Sequence, residues 1–243
     1  MNINARYVLV FAMFGLYHPH LYAASFDCTK ASSGVEQRVC SNKELSELDK
    51  QLSSEYKKAL KIAKNPSGLR QSQKEWLEKR RDGCNDPAGE VHAGIDYCLK
   101  PTYQNRIVEL RALSTPLERV LGVYTKRNPS CSLAPDPNNG TRNIQVCDGF
   151  NEDRISVQKD RTDAFDIEMR LFFFNGHICT FEGRAIWKEG KLVAKGNEDA
   201  RDDPCTFELY SDGRHIITKN AQPGCSRYCG VRGSLNGVEA LKQ

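Results

Sequence analysis

Leu45-Ser-Glu-Leu-Asp-Lys-Gln-Leu-Ser-Ser-Glu-Tyr-Lys-Lys-Ala-Leu-Lys-Ile-Ala63 sets apolar side chains at Leu45, Leu48, Leu52, Tyr56, Leu60 and Ala63. Steps of three and four residues bring them to one face of a helix, so the stretch predicts an amphipathic helix. Ser41, with Glu44 three residues on, is placed for a capping box at its start. Asn65-Pro66-Ser67-Gly68 is placed to end it, because proline cannot continue the hydrogen-bond ladder. A second stripe follows through Leu69, Gln73, Trp76, Leu77 and Arg80, ending near Gly83. After a polar stretch, a third runs through Leu99, Tyr103, Ile107 and Leu110, with Pro101 expected in its first turn, where the missing N–H does least harm.

From about Thr115 the period changes from helical to alternating. Phe165-Asp166-Ile167-Glu168-Met169-Arg170-Leu171 is the clearest case, and Gly122–Tyr124, Arg154–Val157, His177–Phe181, Arg184–Trp187, Cys205–Leu209 and His215–Thr218 are shorter β-type runs. Asn175-Gly176, Glu189-Gly190 and Asp212-Gly213 are hairpin turn signals between them. The expected fold class is therefore α+β in two domains. A disulfide-stapled three-helix domain covers residues 25–114, and a Cys-rich small antiparallel β-barrel or sandwich covers residues 115–243.

Residues 1–24 read as a secretory signal peptide. Arg6 precedes the apolar run Tyr7–Tyr17, and the small residues Ala23, Ala24 and Ser25 follow as a cleavage region. That run has 11 residues, too short to cross a ~30 Å hydrocarbon core as a helix, so no transmembrane span is expected in the mature protein. The expected location is periplasmic or secreted. A lipid-anchored product is disfavoured, because Cys28 follows Phe26-Asp27 rather than small residues.

The chain of 243 residues has 10 cysteines, all beyond the signal, and an even number in an exported chain implies five disulfides. If the first two helices form an antiparallel hairpin, Cys40 lies beside Cys84, which leaves Cys28 to pair with Cys98. Cys179 and Cys205 each precede Thr-Phe in a strand-like run, so a cross-strand bridge between them is expected. Cys131, Cys147, Cys225 and Cys229 divide among themselves in an order that spacing does not decide.

Catalytic signatures are missing. No Gly-x-Ser-x-Gly, Walker loop or His-Glu-x-x-His occurs, and His92, His177 and His215 fit no zinc spacing. The carboxylate groups Asp153 with Asp160 and Asp163, and Glu198 with Asp202 and Asp203, read as solvated turns. Lys79-Arg80-Arg81 reads as a solvated helix end rather than a nucleic-acid or lipid contact, and Trp76 as core. The sequence thus points to a binding protein, not an enzyme, with no cofactor, no metal and no nucleic-acid partner.

One resemblance is specific. Asp27-Cys28, Val35-Glu36, Val39-Cys40, Glu44-Leu45, Leu48-Asp49, Tyr56, Gln73, Trp76-Leu77, Arg80-Arg81, Cys84, Cys98, Tyr103, Arg106-Ile107 and Glu109-Leu110 stand in an order similar to the N-terminal domain of LprI-type lysozyme inhibitors, over about residues 26–113. Gly176-His177-x-Cys179 and the tail from Cys229 through Gly237 resemble a β domain often found after that helical one. The resemblance implies an exported envelope protein that binds and inhibits c-type lysozyme, shielding peptidoglycan by blocking the cleft that holds paired carboxylates.

β-barrel lysozyme inhibitors use a Ser-Gly-rich loop ending in Lys-Tyr, which has no match in this chain. Its nearest counterpart is Arg232-Gly233-Ser234, which makes Arg232 and Ser234 the candidate partner-binding residues, against the simpler reading of a tight turn. Residues 25–115 carry a net charge of +3 and residues 116–243 a net charge of 0, so a basic lysozyme would not be steered in from long range. Two other partners stay open: an anionic wall polymer or lipopolysaccharide, bound without inhibition, and another secreted hydrolase, bound as by an immunity protein.

Overall fold

A computed structural model describes residues 24–84, 94–160, 163–173, 176–197 and 203–243. The signal-peptide reading falls on residues outside these, apart from Ala24. Helices α1 (Gly34–Ser41), α2 (Lys43–Ile62), α3 (Pro66–Cys84) and α4 (Gly94–Ala112) come first, and the short α5 (Leu117–Val120) leads into the sheet. Strands β1 (Gly122–Asp136), β2 (Asn139–Lys159), β3 (Ala164–Phe172), β4 (Ile178–Lys188), β5 (Lys191–Gly196), β6 (Thr206–Ser211), β7 (His215–Lys219) and β8 (Glu239–Lys242) follow.

The helical core gathers Val35, Val39, Leu45, Leu52, Trp76, Leu99, Tyr103 and Ile107. The stripe beginning at Leu45 is thus one wall of that core, as its period requires. The cap differs from expectation. Ser41 ends α1, and Asn42 caps α2 with its Oδ1 accepting from the Leu45 amide at 3.2 Å. The capping box sits one helix earlier, between Ser33 and Glu36. Only Val35 and Val39 mark α1 with an i, i+4 pair, too little periodicity to announce an eight-residue helix. Pro101 lies inside α4 rather than in its first turn, because α4 already begins at Gly94.

The strands form a closed barrel in which each pairs antiparallel with its sequence neighbour, and β8 closes it against β1 through Tyr124↔Lys242 and Thr125↔Leu241. Between a barrel and a sandwich the structure decides for the barrel. Alternation works as read on β3, where Phe165, Ile167, Met169 and Leu171 all point inward. The runs at His177–Phe181 and Arg184–Trp187 are parts of the single strand β4. Glu189 and Gly190 join β4 to β5 with φ of 48° and 83°, the left-handed pair that a type I′ hairpin turn demands. Val120 of α5 caps one barrel end, where the Tyr124 hydroxyl donates to its carbonyl at 2.7 Å.

The three disulfides expected from the sequence do not form. Cys28 bonds to Cys40 and Cys84 to Cys98, in place of 28–98 and 40–84. The expectation required α2 and α3 to lie side by side along their length. Instead α2 packs mainly along α4, so each helical cysteine meets the one nearest in sequence. In the barrel, Cys179–Cys205 is replaced by Cys179–Cys229 and Cys205–Cys225, beside Cys131–Cys147. Strand β5 separates β4 from β6, which keeps Cys179 and Cys205 apart. The repeated Cys-Thr-Phe has another cause: Phe181 and Phe207 point inward and meet edge-to-face, their centroids 4.8 Å apart.

Candidate partner-binding site

The 3-10 segment Pro223–Tyr228 lies over the barrel end opposite α5, held there by the bonds from Cys225 and Cys229. Tyr228 packs on Phe181 at 5.0 Å between ring centroids. From this platform the chain runs out and back through residues 229–237. The Gly230 amide donates to the Ile178 carbonyl at 3.1 Å, and the Gly233 amide closes a turn on the Gly230 carbonyl at 2.8 Å. A Cβ at Gly233 would stand 2.6 Å from the Cys179 sulfur, so only glycine lets the turn lie flat on the disulfide. Leu235, 1 % exposed, anchors the returning strand in the barrel core. The Gly237 amide then donates to the Thr218 carbonyl at 3.0 Å.

The apex of this loop carries Val231, 96 % exposed, and the exposed Arg232. Ser234 is also exposed, but its Oγ accepts from the Asn236 amide at 3.0 Å and so helps to shape the loop. The structure therefore brings Arg232 and Ser234 to one braced loop, with Val231 as an apolar tip. Val231, isolated between Gly230 and Arg232, has no periodicity that would mark it in the sequence. A guanidinium beside an apolar tip is suited to enter a cleft and fork onto a carboxylate.

The residues of the family-like pattern lie elsewhere, inside the helical half. Arg80 donates to the Tyr103 hydroxyl, which in turn donates to Asp49 Oδ1 at 3.0 Å. The Arg80 guanidinium also sits 5.5 Å from the centroids of the Trp76 and Tyr103 rings. Burial pushes the Tyr103 phenol well above its ordinary pKa, so it stays a proton donor. Arg80 is thus core and not part of a solvated Lys79-Arg80-Arg81 cluster, whereas Arg81 is exposed and pairs with Asp82 at 2.8 Å. Trp76 is core, as its stripe indicated.

A second buried network crosses to the barrel. Arg106 donates to Gln73 at 3.0 Å, to Ser72 at 3.1 Å and to Glu109 at 2.7 Å, and Lys219 of β7 pairs with the other Glu109 oxygen. Arg111 reaches Asp212 at 3.5 Å. A cleft of about 710 Å³ opens beside these contacts, with Gln51, Gln104 and Asn105 on its helical wall and His215 on its barrel wall. Two of its charged pairs are already matched, Lys126 with Glu239 at 2.8 Å and Arg111 with Asp212.

The acidic groups separate as well. Asp153 is buried and not solvated: it accepts from the Phe172 amide at 2.7 Å and from Asn128 at 2.6 Å, and burial raises its pKa despite those bonds. Asp160 pairs with Arg184, while Glu198 and Asp202 lie outside the described residues, as does His92. Among the described residues no three of His, Cys, Asp and Glu stand together as metal ligands.

With this geometry in hand, comparison with characterised proteins gives a definite result for the helical half. Residues 28–110 match the family model of the lysozyme inhibitor LprI. The chain is also similar to Lipoprotein LprI of Mycobacterium bovis and of Mycobacterium tuberculosis, at 34 % identity over 109 residues, which is 44 % of this chain. It spans about half the length of these curated LprI relatives, 50 % in each case. No solved structure matches the chain to a meaningful degree. The LprI match bears out the resemblance read from the ordered cysteines and Trp76-Leu77, and it ends before β1. The relatives are named lipoproteins; in this chain the first cysteine after the apolar N-terminal run, Cys28, has its sulfur bonded to Cys40.

Proposed function

We propose that this protein is an exported envelope protein that binds and inhibits c-type lysozyme, protecting peptidoglycan in the periplasm or outside the cell. The observation that carries the reading is the LprI match over residues 28–110, in a chain where the matching residues build an intact, stapled helical core. Five disulfides among the described residues support export to an oxidising compartment after removal of residues 1–24. Among the described residues no helix is long and apolar enough to cross a membrane. Within this reading, residues 25–114 and 115–243 act as the two domains.

The loop at 229–237 serves as the inhibitory element, with Arg232 aimed at the paired carboxylates of the enzyme cleft and Ser234 shaping its approach. Two disulfides and the buried Leu235 hold the loop before binding, so less entropy is lost on docking.

The test is lysis of a peptidoglycan suspension by c-type lysozyme, with the oxidised mature protein titrated in at low and high salt. Stoichiometric inhibition that changes little with salt is expected, because neither half carries charge of the sign that attracts a basic enzyme. Arg232→Ala should weaken inhibition about tenfold or more, the usual scale for a desolvated arginine anchor. Full inhibition by Arg232→Ala would move the interface to the helical half. Absence of inhibition at large molar excess of folded protein would overturn the reading.

A further inference from the structure

The hairpin of β1 and β2 runs well past the barrel. β1 meets β8 only at Tyr124 and Thr125, and β2 meets β3 only from Arg154 onward. Residues 126–136 and 139–153 therefore form a two-stranded arm, joined by pairs such as Leu133↔Gln145 and Ala134↔Ile144 and stapled by Cys131–Cys147. An isolated two-stranded ribbon is marginal in water, and this one leaves two rows of backbone groups without a neighbouring strand among the described residues.

The two edges are not alike. Proline is tolerated in a strand where its missing N–H would face away from the partner, so Pro129 and Pro135 remove donors from the free edge of β1. β2 has no proline from Asn139 to Asp153 and no lysine there either. Its free edge is thus the one able to accept another strand.

The side chains on that edge identify the strand that fits. Arg142, Ile144, Val146 and Asp148 take every second position of β2, the apolar pair inside the regular ladder over residues 143–147 and the two charges at its ends, where the register with β1 shifts, and all but the half-buried Ile144 are exposed. Antiparallel pairing of this edge with itself, two-fold about Gln145, sets Arg142 opposite Asp148 of the other copy, twice. The same register sets Ile144 opposite Val146, also twice. Charge complementarity and apolar matching coincide in a single self-complementary register, as a two-fold interface requires.

We propose that the β2 edge of the arm docks a second copy of this chain, forming a continuous four-stranded ribbon about Gln145. The interface is separate from the loop at 229–237, and the proposal stands whatever the outcome with lysozyme.

Sedimentation velocity on the oxidised mature protein, over concentrations up to about 1 mM, tests it; the range covers weak dimers. The wild type should show a reversible dimer. Arg142→Asp and Asp148→Arg, each alone, put like charges opposite one another and should weaken dimerisation by roughly tenfold or more. The double variant should dimerise like the wild type. An equimolar mixture of the two single variants should form the heterodimer, since one then presents two acids and the other two cations. Far-UV circular dichroism and an assay for free thiols confirm that each variant is folded. A wild type that stays monomeric, single variants that dimerise as well as the wild type, or a mixture that does not pair would each overturn the proposal.

Discussion

The helical half and the barrel are both cross-linked, yet they use their covalent and polar groups in opposite ways. In the helical half the bridges are local, with sequence separations of 12 and 14, and the core holds the charged side chains Asp49, Arg80, Arg106 and Glu109. In the barrel one bridge spans 50 residues, and the core is mainly apolar, from Ile155 and Phe165 to Leu209 and Leu235, with Asp153 buried beside it. Four packed helices leave a thin core, and the buried charges there pair within it, Arg80 with Asp49 at 4.0 Å and Arg106 with Glu109 at 2.7 Å, while the Arg80 Nε keeps no hydrogen-bond partner among the described residues. A closed barrel has an inside, and alternation fills it with apolar side chains. The lesson is that residues marking a family can mark its core. Asp49, Trp76, Arg80 and Tyr103 hold helices together, while the loop at 229–237 and the arm of β1 and β2 lie on the outside.

The sharpest way to break this contrast is at Arg80. Arg80→Ala should destabilise the helical half by about 3–5 kcal/mol, because Asp49 is left buried without its cation. Replacing the pair together, as Asp49→Leu with Arg80→Met, should cost less than Arg80→Ala alone. Denaturant unfolding followed by Trp76 fluorescence in a Trp187→Phe background checks both; equal costs for the single and double changes would mean that the pair is not the element holding the helices.

The disulfides give the next largest difference. Chain-entropy scaling assigns about 4 kcal/mol to the 50-residue closure at Cys179–Cys229 and about 3 kcal/mol to the closure at Cys28–Cys40. Cys179→Ser with Cys229→Ser should therefore lower the barrel's unfolding midpoint more than the matching pair of changes lowers that of the helical half. It should also release the loop at 229–237, which hydrogen exchange at Gly230 and Gly233 would detect as faster exchange.

The smallest effect is one of pH, and it falls on the barrel. Burial alone would raise Glu208, but hydrogen bonds from Lys191, Tyr210 and Asn220 outweigh it and hold the carboxyl below its ordinary range. Asp212 is likewise penalised by burial and held low by the His215 and Arg214 amides. A carboxyl lowered in the folded state contributes stability above its unfolded value, near 4, and loses it as pH falls through the folded value. Asp153, raised by burial, acts in the opposite sense and loses its contribution as pH rises. Barrel stability should thus decline as pH falls below about 4.5, and Glu208→Gln should flatten that decline while costing about 1–3 kcal/mol at pH 7. An unchanged slope in Glu208→Gln would remove Glu208 from the account.

Much of the fold was legible in local pattern. The stripe from Leu45 and the alternation from Phe165 each recur within a few residues, which is the range over which a single element is decided. β8 was not legible, because Glu239–Lys242 is four residues long and becomes a strand only when β1 and β7 supply its partners. The length of the arm was hidden because Asn139–Asp153 is polar on a ribbon with no core beneath it. Of the candidate site, Arg232 and Ser234 were proposed from a short local motif, and the structure places both on an exposed loop. The bracing by Cys179 and Leu235 was not, because it joins residues distant in sequence.

By itself the sequence determined the helical and strand periods, the change between them near Thr115, the even set of cysteines and the pattern matching LprI. These are properties of neighbours along the chain, where spacing alone sets which face a side chain takes. Only the tertiary structure decided which cysteines met, which charges were buried, and which loop and strand edge were left outside. Those outcomes depend on how elements pack: α2 along α4, β5 between β4 and β6, and β8 closing the barrel on β1.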